Sequence, residues 1–316
     1  MPDPQKPNER KPRTYAAAHF ALELDDKKDV GLFRSIEGGG VKADVMTYQN
    51  GANYERWRQI GKQKYEDIKL QVGMSMSEPF YAWIEKFFTG VPDRKNGAIV
   101  AADFYYKERA RRTFKEALIK ELTFPKLQAD DKNAAYMNIS LAVEDIVFTA
   151  GDGNTLAQVK GMEAQKHWKS NNFHFVLDGF EAACKRTTKI DAFTIKQNII
   201  EHNTGGRQSA VKVPAGVDFP NLVFYVPEVD AQPLIDHFND YAMIAKRKQK
   251  GHGPKKTGSL VTFDNGGTQQ FMLEFYETEI LSVTPDKSDA TSEEIKQVKF
   301  ELFTERMTFK YGSKTS

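Results

Sequence analysis

A chain of 316 residues has room for about two domains of ordinary size, and with 40% apolar and 12% aromatic residues it can build real cores. A formal net charge of +2 over 28% charged residues excludes a general nucleic-acid-binding surface, so any basic patch must be local. The one cysteine, Cys184, excludes an intramolecular disulfide framework and a Cys-rich zinc site; it fits a reducing compartment and is expected as a half-buried strand residue.

The first residues, MPDPQKPNERKPR, are proline-rich and charged with no apolar run. They are expected to form a disordered arm over 1–14, neither a signal peptide nor a membrane span. From Phe20 the alternation of Phe20, Leu22 and Leu24 with Ala21 and Glu23 predicts a half-buried strand. Two short strand-like runs follow, Leu32 to Ile36 and Val41 to Tyr48, broken by Gly38, Gly39 and Gly40. No Lys-Ser/Thr and no helix follow these glycines, so they read as a bend or bulge and not as a phosphate loop. Asn50 to Lys64 is polar with interspersed Tyr54 and Trp57, which predicts a long loop or hairpin whose exposed aromatics meet a partner. Tyr65 to Met74 alternates again and predicts another strand.

At Ser77 the period changes. Phe80, Trp83, Ile84, Phe87 and Phe88 fall at helical spacing behind Ser77 and Pro79, and Gly90 ends the run. An aromatic stripe of this kind predicts a core face. Ala98 to Lys107, Thr113 to Phe124 and Tyr136 to Phe148 read as strands, the last with a switch of apolar parity near Glu144 and Asp145 that suggests a bulge. Thr149 to Lys166 reads as a linker with a turn at Gly151 to Asn154.

Then the order begins again. Phe173, Phe175 and Leu177 repeat Phe20, Leu22 and Leu24 at an offset of 153, and a second helix over Asp230 to Ala245 repeats the first at 154. Leu302, Glu305, Met307 and Phe309 repeat Leu141, Glu144, Ile146 and Phe148 at 161. The offset grows only across loops, so the chain is two copies of one fold in tandem. It is expected to be mainly β with one helix per copy, a pair of small β-sandwich or barrel domains over 15–150 and 168–312 with a linker at 151–167.

The first copy resembles the tail tube protein family of contractile-tailed phages and the inner-tube proteins of contractile injection systems. FALELD at Phe20 to Asp25, GLFRSIEGGGVKADV at Gly31 to Val45, YEDIKLQVGM at Tyr65 to Met74 and FYAWIEKFF at Phe80 to Phe88 carry the likeness. RKNGAIVAADF at Arg94 to Phe104 and LAVEDIVF at Leu141 to Phe148 continue it. The second copy replaces the glycine bend with KRTTKIDAFTIKQ and inserts a basic loop after its helix. The resemblance implies subunits that close into rings by joining the sheets of neighbours, and rings that stack around a central lumen. It implies assembly in the bacterial cytoplasm, a place in a virion tail or phage-tail-like particle, and neighbours among tube, baseplate or spike proteins, with DNA or cargo in the lumen. Because a plain tube subunit is a single domain, the tandem form looks more like an initiator or baseplate-hub ring. Six chains could stack the copies as successive layers, the preferred arrangement, or three chains could set both copies in one ring of pseudo-sixfold symmetry.

No catalytic constellation, cofactor motif or metal-binding spacing is legible: the six histidines are scattered, and no nucleophile elbow occurs. His174 and His237 read as surface residues, and the acidic pair Glu144 and Asp145 as solvated charge. Candidate contacts between subunits or rings are Tyr54, Arg56, Trp57 and Arg58 in the exposed segment, and Arg109, Arg111 and Arg112 in KERARR, expected to lie between strands. Lys246, Arg247 and Lys248 in KRKQKGHGPKK complete the set; a solvated loop is the first reading of that run, a contact with DNA or an acidic ring the second. A soluble ligand-binding or hydrolytic β-domain pair is the competing class. It would require a pocket with convergent polar groups.

Overall fold

The computed structural model describes residues 16–25, 27–49, 51, 56–157, 168–205, 209–243, 255–286 and 295–312. The first half opens with β1 (His19–Leu24), β2 (Lys27–Phe33) and β3 (Ser35–Gly38). Next come β4 (Val41–Gln49) and β5 (Arg56–Tyr65), which pair only with each other and form a two-stranded arm. β6 (Ile68–Val72), α1 (Glu78–Thr89), β7 (Lys95–Ala102) and β8 (Glu108–Phe124) follow, then β9 (Leu127–Gln128), β10 (Met137–Ala142) and β11 (Asp145–Ala150). The second half holds β12 (Phe173–Leu177), α2 (Glu181–Cys184), β13 (Lys189–Ile190), β14 (Phe193–His202), β15 (Val211–Asp218) and β16 (Leu222–Pro227). It ends with α3 (Gln232–Phe238), β17 (Lys256–Phe263), β18 (Gln269–Pro285), β19 (Gln297–Phe303) and β20 (Arg306–Tyr311).

Apart from β2, which has no counterpart among the described residues of the second half, the strand order is the same in both halves. β2-β1-β7-β8-β10-β6-β3, with β11 also on β8, is matched by β12-β17-β18-β19-β16-β13, with β20 also on β18. The match extends to register. Gly97 faces Phe114 and Gly258 faces Phe275; Ile139 faces Leu122 and Phe300 faces Val283. Each of these pairs is displaced by 161. Glu116 and Glu277, also 161 apart, both take left-handed backbone, with φ of 54° and 57°. In the arm β4–β5 the register slips between Ala43 and Val45, and in the hairpin β14–β15 between Gln197 and Ile199, a displacement of 154. The repeat read from apolar spacing is thus a repeat of hydrogen-bonded geometry.

Several local expectations change. Arg56 to Tyr65 is a strand throughout; it lacks alternation because both its faces are open to solvent. KERARR lies at the start of β8, which takes in Glu108 to Arg112, and not between strands. The parity switch at Glu144 is a short break between β10 and β11, and both strands continue along β8. The second helix is shorter than expected, giving way to a π-helical turn over Asn239–Met243. Cys184 closes the short helix α2 and is 1% exposed; burial pushes its thiol up to about 12. His237 is half-buried between the rings of Phe180 and Tyr241. The arm at 1–14 lies outside the described residues.

Helix α1 buries Phe80, Tyr81, Trp83, Ile84, Phe87 and Phe88, as the stripe predicts, and Gly90 stops it in left-handed backbone at φ 71°. The glycine bend is real: Gly38 and Gly39 have φ of 78° and 71°, and a Cβ on Gly38 would sit 2.2 Å from the Asp67 carbonyl oxygen. One apolar cluster runs through both halves. It includes Phe80, Ile84 and Phe124 from the first with Phe271, Phe300 and Phe309 from the second.

Candidate assembly surfaces

The halves are joined edge to edge. Beyond its pairing with β10, the last residues of β8 pair with β14 on the other edge: Glu121 with Lys196, Leu122 with Ile195, Thr123 with Thr194 and Phe124 with Phe193. Leu122 and Ile195 are fully buried there, and the Phe124 and Phe193 rings stack at 5.1 Å. The hydroxyls of Thr123 and Thr194 meet at 2.8 Å. A shorter pairing of β9 with β13 extends the seam. Across it, α1 packs on β20: Tyr81 stacks on Tyr311 at 3.7 Å, and the Tyr311 N–H donates to Glu85 Oε1 at 3.0 Å.

A charged cluster fastens the same seam. Arg94 Nη1 donates to Glu144 Oε1 at 2.7 Å, and Arg94 Nη2 donates to the Lys212 carbonyl oxygen at 2.5 Å. The Lys212 N–H in turn donates to Glu144 Oε1 at 2.7 Å. Glu144 is 4% exposed, so its expected solvated state is corrected: its charge is held by a guanidinium and a backbone N–H from the other half. No local sequence signal marks this carboxylate. Only the 161 spacing to Glu305 sets it apart from other acids.

The arm β4–β5 is the opposite case. Nearly every residue in it is exposed, including Val45, Met46, Tyr48, Trp57 and Ile60, the last two at 66% and 75%. These apolar side chains form an exposed patch on a hairpin that pairs with no other strand. Arg56, Trp57 and Arg58 lie on this arm; Tyr54 and the run Lys246, Arg247 and Lys248 lie outside the described residues. The three arginines of β8 are not gathered with them. Arg109 pairs with Asp103 at 2.7 Å, and Arg111 is clamped by Glu23 and Glu108 at 2.6 and 2.8 Å, which raises its pKa. Arg112 donates to the Gly38 carbonyl oxygen at 3.3 Å and lies over the Phe148 ring.

The face of the first sheet opposite the core is concave and polar. Glu37, Lys69, Gln71, Glu121, Asn138 and Ser140 contribute to an open hollow of about 430 Å³. On β6, Ile68, Leu70 and Val72 are buried, whereas Lys69 and Gln71 point into this hollow. Among the described residues no cluster of His, Cys, Asp or Glu could hold a metal ion, and no helix is long and apolar enough to cross a membrane.

Residues 16–147 match the family described as T4-like virus tail tube protein gp19. Several solved structures are similar to a little under half of the chain. A chain of the PVC sheath-tube complex, an extracellular contractile injection system in its extended state, is 18% identical, with a TM-score of 0.37, over 45% of this chain and 94% of that one. The anti-feeding prophage cap protein is 17% identical, with a TM-score of 0.39, over 46% and 97%. The PVC sheath/tube terminator is 18% identical, with a TM-score of 0.38, over 44% and 99%. No curated protein matches the chain in sequence.

Proposed function

We propose that this chain is a structural component of a phage-like contractile tail or injection device, a ring of the inner tube or of its initiator or baseplate-hub end around a central lumen. The observation that carries this is the tail tube family match over residues 16–147 together with the same strand order repeated through residue 311. The concave polar face, with mixed Glu and Lys charge, suits a wetted lumen wall. The exposed apolar arm suits contact with the ring above or below, or with a tube, baseplate or spike protein. The role is mechanical and not catalytic, with assembly in the bacterial cytoplasm.

Native mass spectrometry of the purified chain, followed by negative-stain imaging, tests this reading. Rings with a central hole are expected, either from the chain alone or after addition of tube or baseplate proteins. A chain that stays monomeric at high concentration and binds neither would overturn it.

A further inference from the structure

The internal seam has an unfilled duplicate at each end of the chain. On β18, Ile280 to Pro285 pair with β19 along one edge, and among the described residues no strand lies on the other. That edge is displaced by 161 from the part of β8 that holds β14. At the other end, the base of β4 corresponds at 154 to the part of β14 that enters the seam. In solvent exposure the two open halves are the inverse of the closed one: Val41 is 39% exposed where its counterpart Ile195 is fully buried. Phe148 of β11 is 55% exposed where its counterpart Phe309, under α1, is 3% exposed.

The charged cluster is duplicated as well. Arg94 lies 2.7 Å from Glu144 and 3.6 Å from Glu116. Lys255 lies 2.8 Å from Glu305 and 3.1 Å from Glu277, and each of these residues is 161 beyond its counterpart. In the first cluster the glutamate receives the Lys212 N–H; in the second, Glu305 is exposed. The residue 154 before Lys212 is Arg58, on the arm.

From this we infer that the open edge of β18 and the arm β4–β5 are two halves of one seam, closed head to tail between successive copies of this chain. Val283 pairs with Val41 of the next copy, as Leu122 pairs with Ile195, and Glu305 accepts the backbone N–H of its Arg58. Both halves of the chain then lie side by side in one layer, so a ring of six positions holds three chains. Closure into a ring rests on the proposed tail role; the head-to-tail contact rests on the repeat alone. The outer seam differs in one respect. The stacked pair Phe124 and Phe193 becomes Pro285 and Gly39, and proline has no N–H to give. The seam between chains is therefore shorter than the seam within.

Disulfide trapping in the full chain tests the contact, because directly paired antiparallel strand residues lie within disulfide reach. Under mild oxidation the Val41→Cys, Val283→Cys double variant should give a covalent ladder that ends in a closed ring, and neither single variant should give one. Leu122→Cys with Ile195→Cys, expected to link within one chain, is the positive control. Adding Glu305→Ala to the double variant should raise the concentration needed for the ladder about tenfold, the cost of one charge-assisted hydrogen bond. A double variant that forms no bond between chains while the control closes, or a single variant that links to itself, would overturn the inference. If rings still form by native mass spectrometry in that case, the structural role stands and only the seam is wrong; if nothing assembles with or without tube and baseplate proteins, the role itself fails.

Discussion

Glu144 and Glu305 are the same residue in two settings, and the difference can be measured. Glu144→Ala removes a buried acceptor from Arg94 and from the Lys212 N–H, and should cost about 2 kcal/mol in urea unfolding, since Arg94 keeps partial access to water. Glu305→Ala in the unassembled chain should leave the urea midpoint unchanged. His237 offers a second readout. Burial between Phe180 and Tyr241, and then the Lys256 charge, hold its pKa below the ordinary histidine value. A depressed folded pKa means that the unfolded chain takes up this proton first as pH falls. Its contribution is therefore present above about pH 6.5 and is lost as pH falls through the folded value. The loss of stability between pH 7 and pH 5 should be smaller in His237→Phe than in the parent chain. Neither environment could be read from sequence, because the groups that create it are distant: Glu144 meets Lys212 across 68 positions.

At the scale of elements, periodicity was a reliable guide wherever one face is buried and the other wet. Helix α1 and strand β6 follow their apolar spacing, whereas β1 buries Ala21 on its second face as well, and Phe80→Ala should cost about 3–5 kcal/mol by urea unfolding, as a fully buried ring. The arm defeats the same logic, because RWRQIGKQKY has no buried face to impose a period. Val41 to Tyr48 was legible as a strand, but its partner only as a loop or hairpin segment with exposed aromatics. Its chemistry separates stability from assembly. Trp57→Ala with Ile60→Ala should shift unfolding by less than about 0.5 kcal/mol yet abolish higher oligomers by native mass spectrometry. Helix α2 was missed because a segment of four residues is shorter than a helical repeat can announce.

In the whole molecule, the offsets of 153, 154 and 161 revealed the duplication, and the central strands of both halves share one order and register. What they could not reveal is how the copies meet. A tandem repeat is equally compatible with beads on a string, stacked layers or a common sheet, and strand pairing between segments 70 residues apart leaves no local mark. The copies share a sheet, so the first contact of assembly is made when the chain folds, without the loss of translational freedom that every later contact carries. A wall built from such chains has two kinds of joint in alternation, one stitched by a covalent chain and by stacked Phe124 and Phe193, the other held by shorter strand edges. Pressure on the wall, or simple dilution, would part it at every second joint. The pieces released would be whole chains with their inner joint intact, ready to close again.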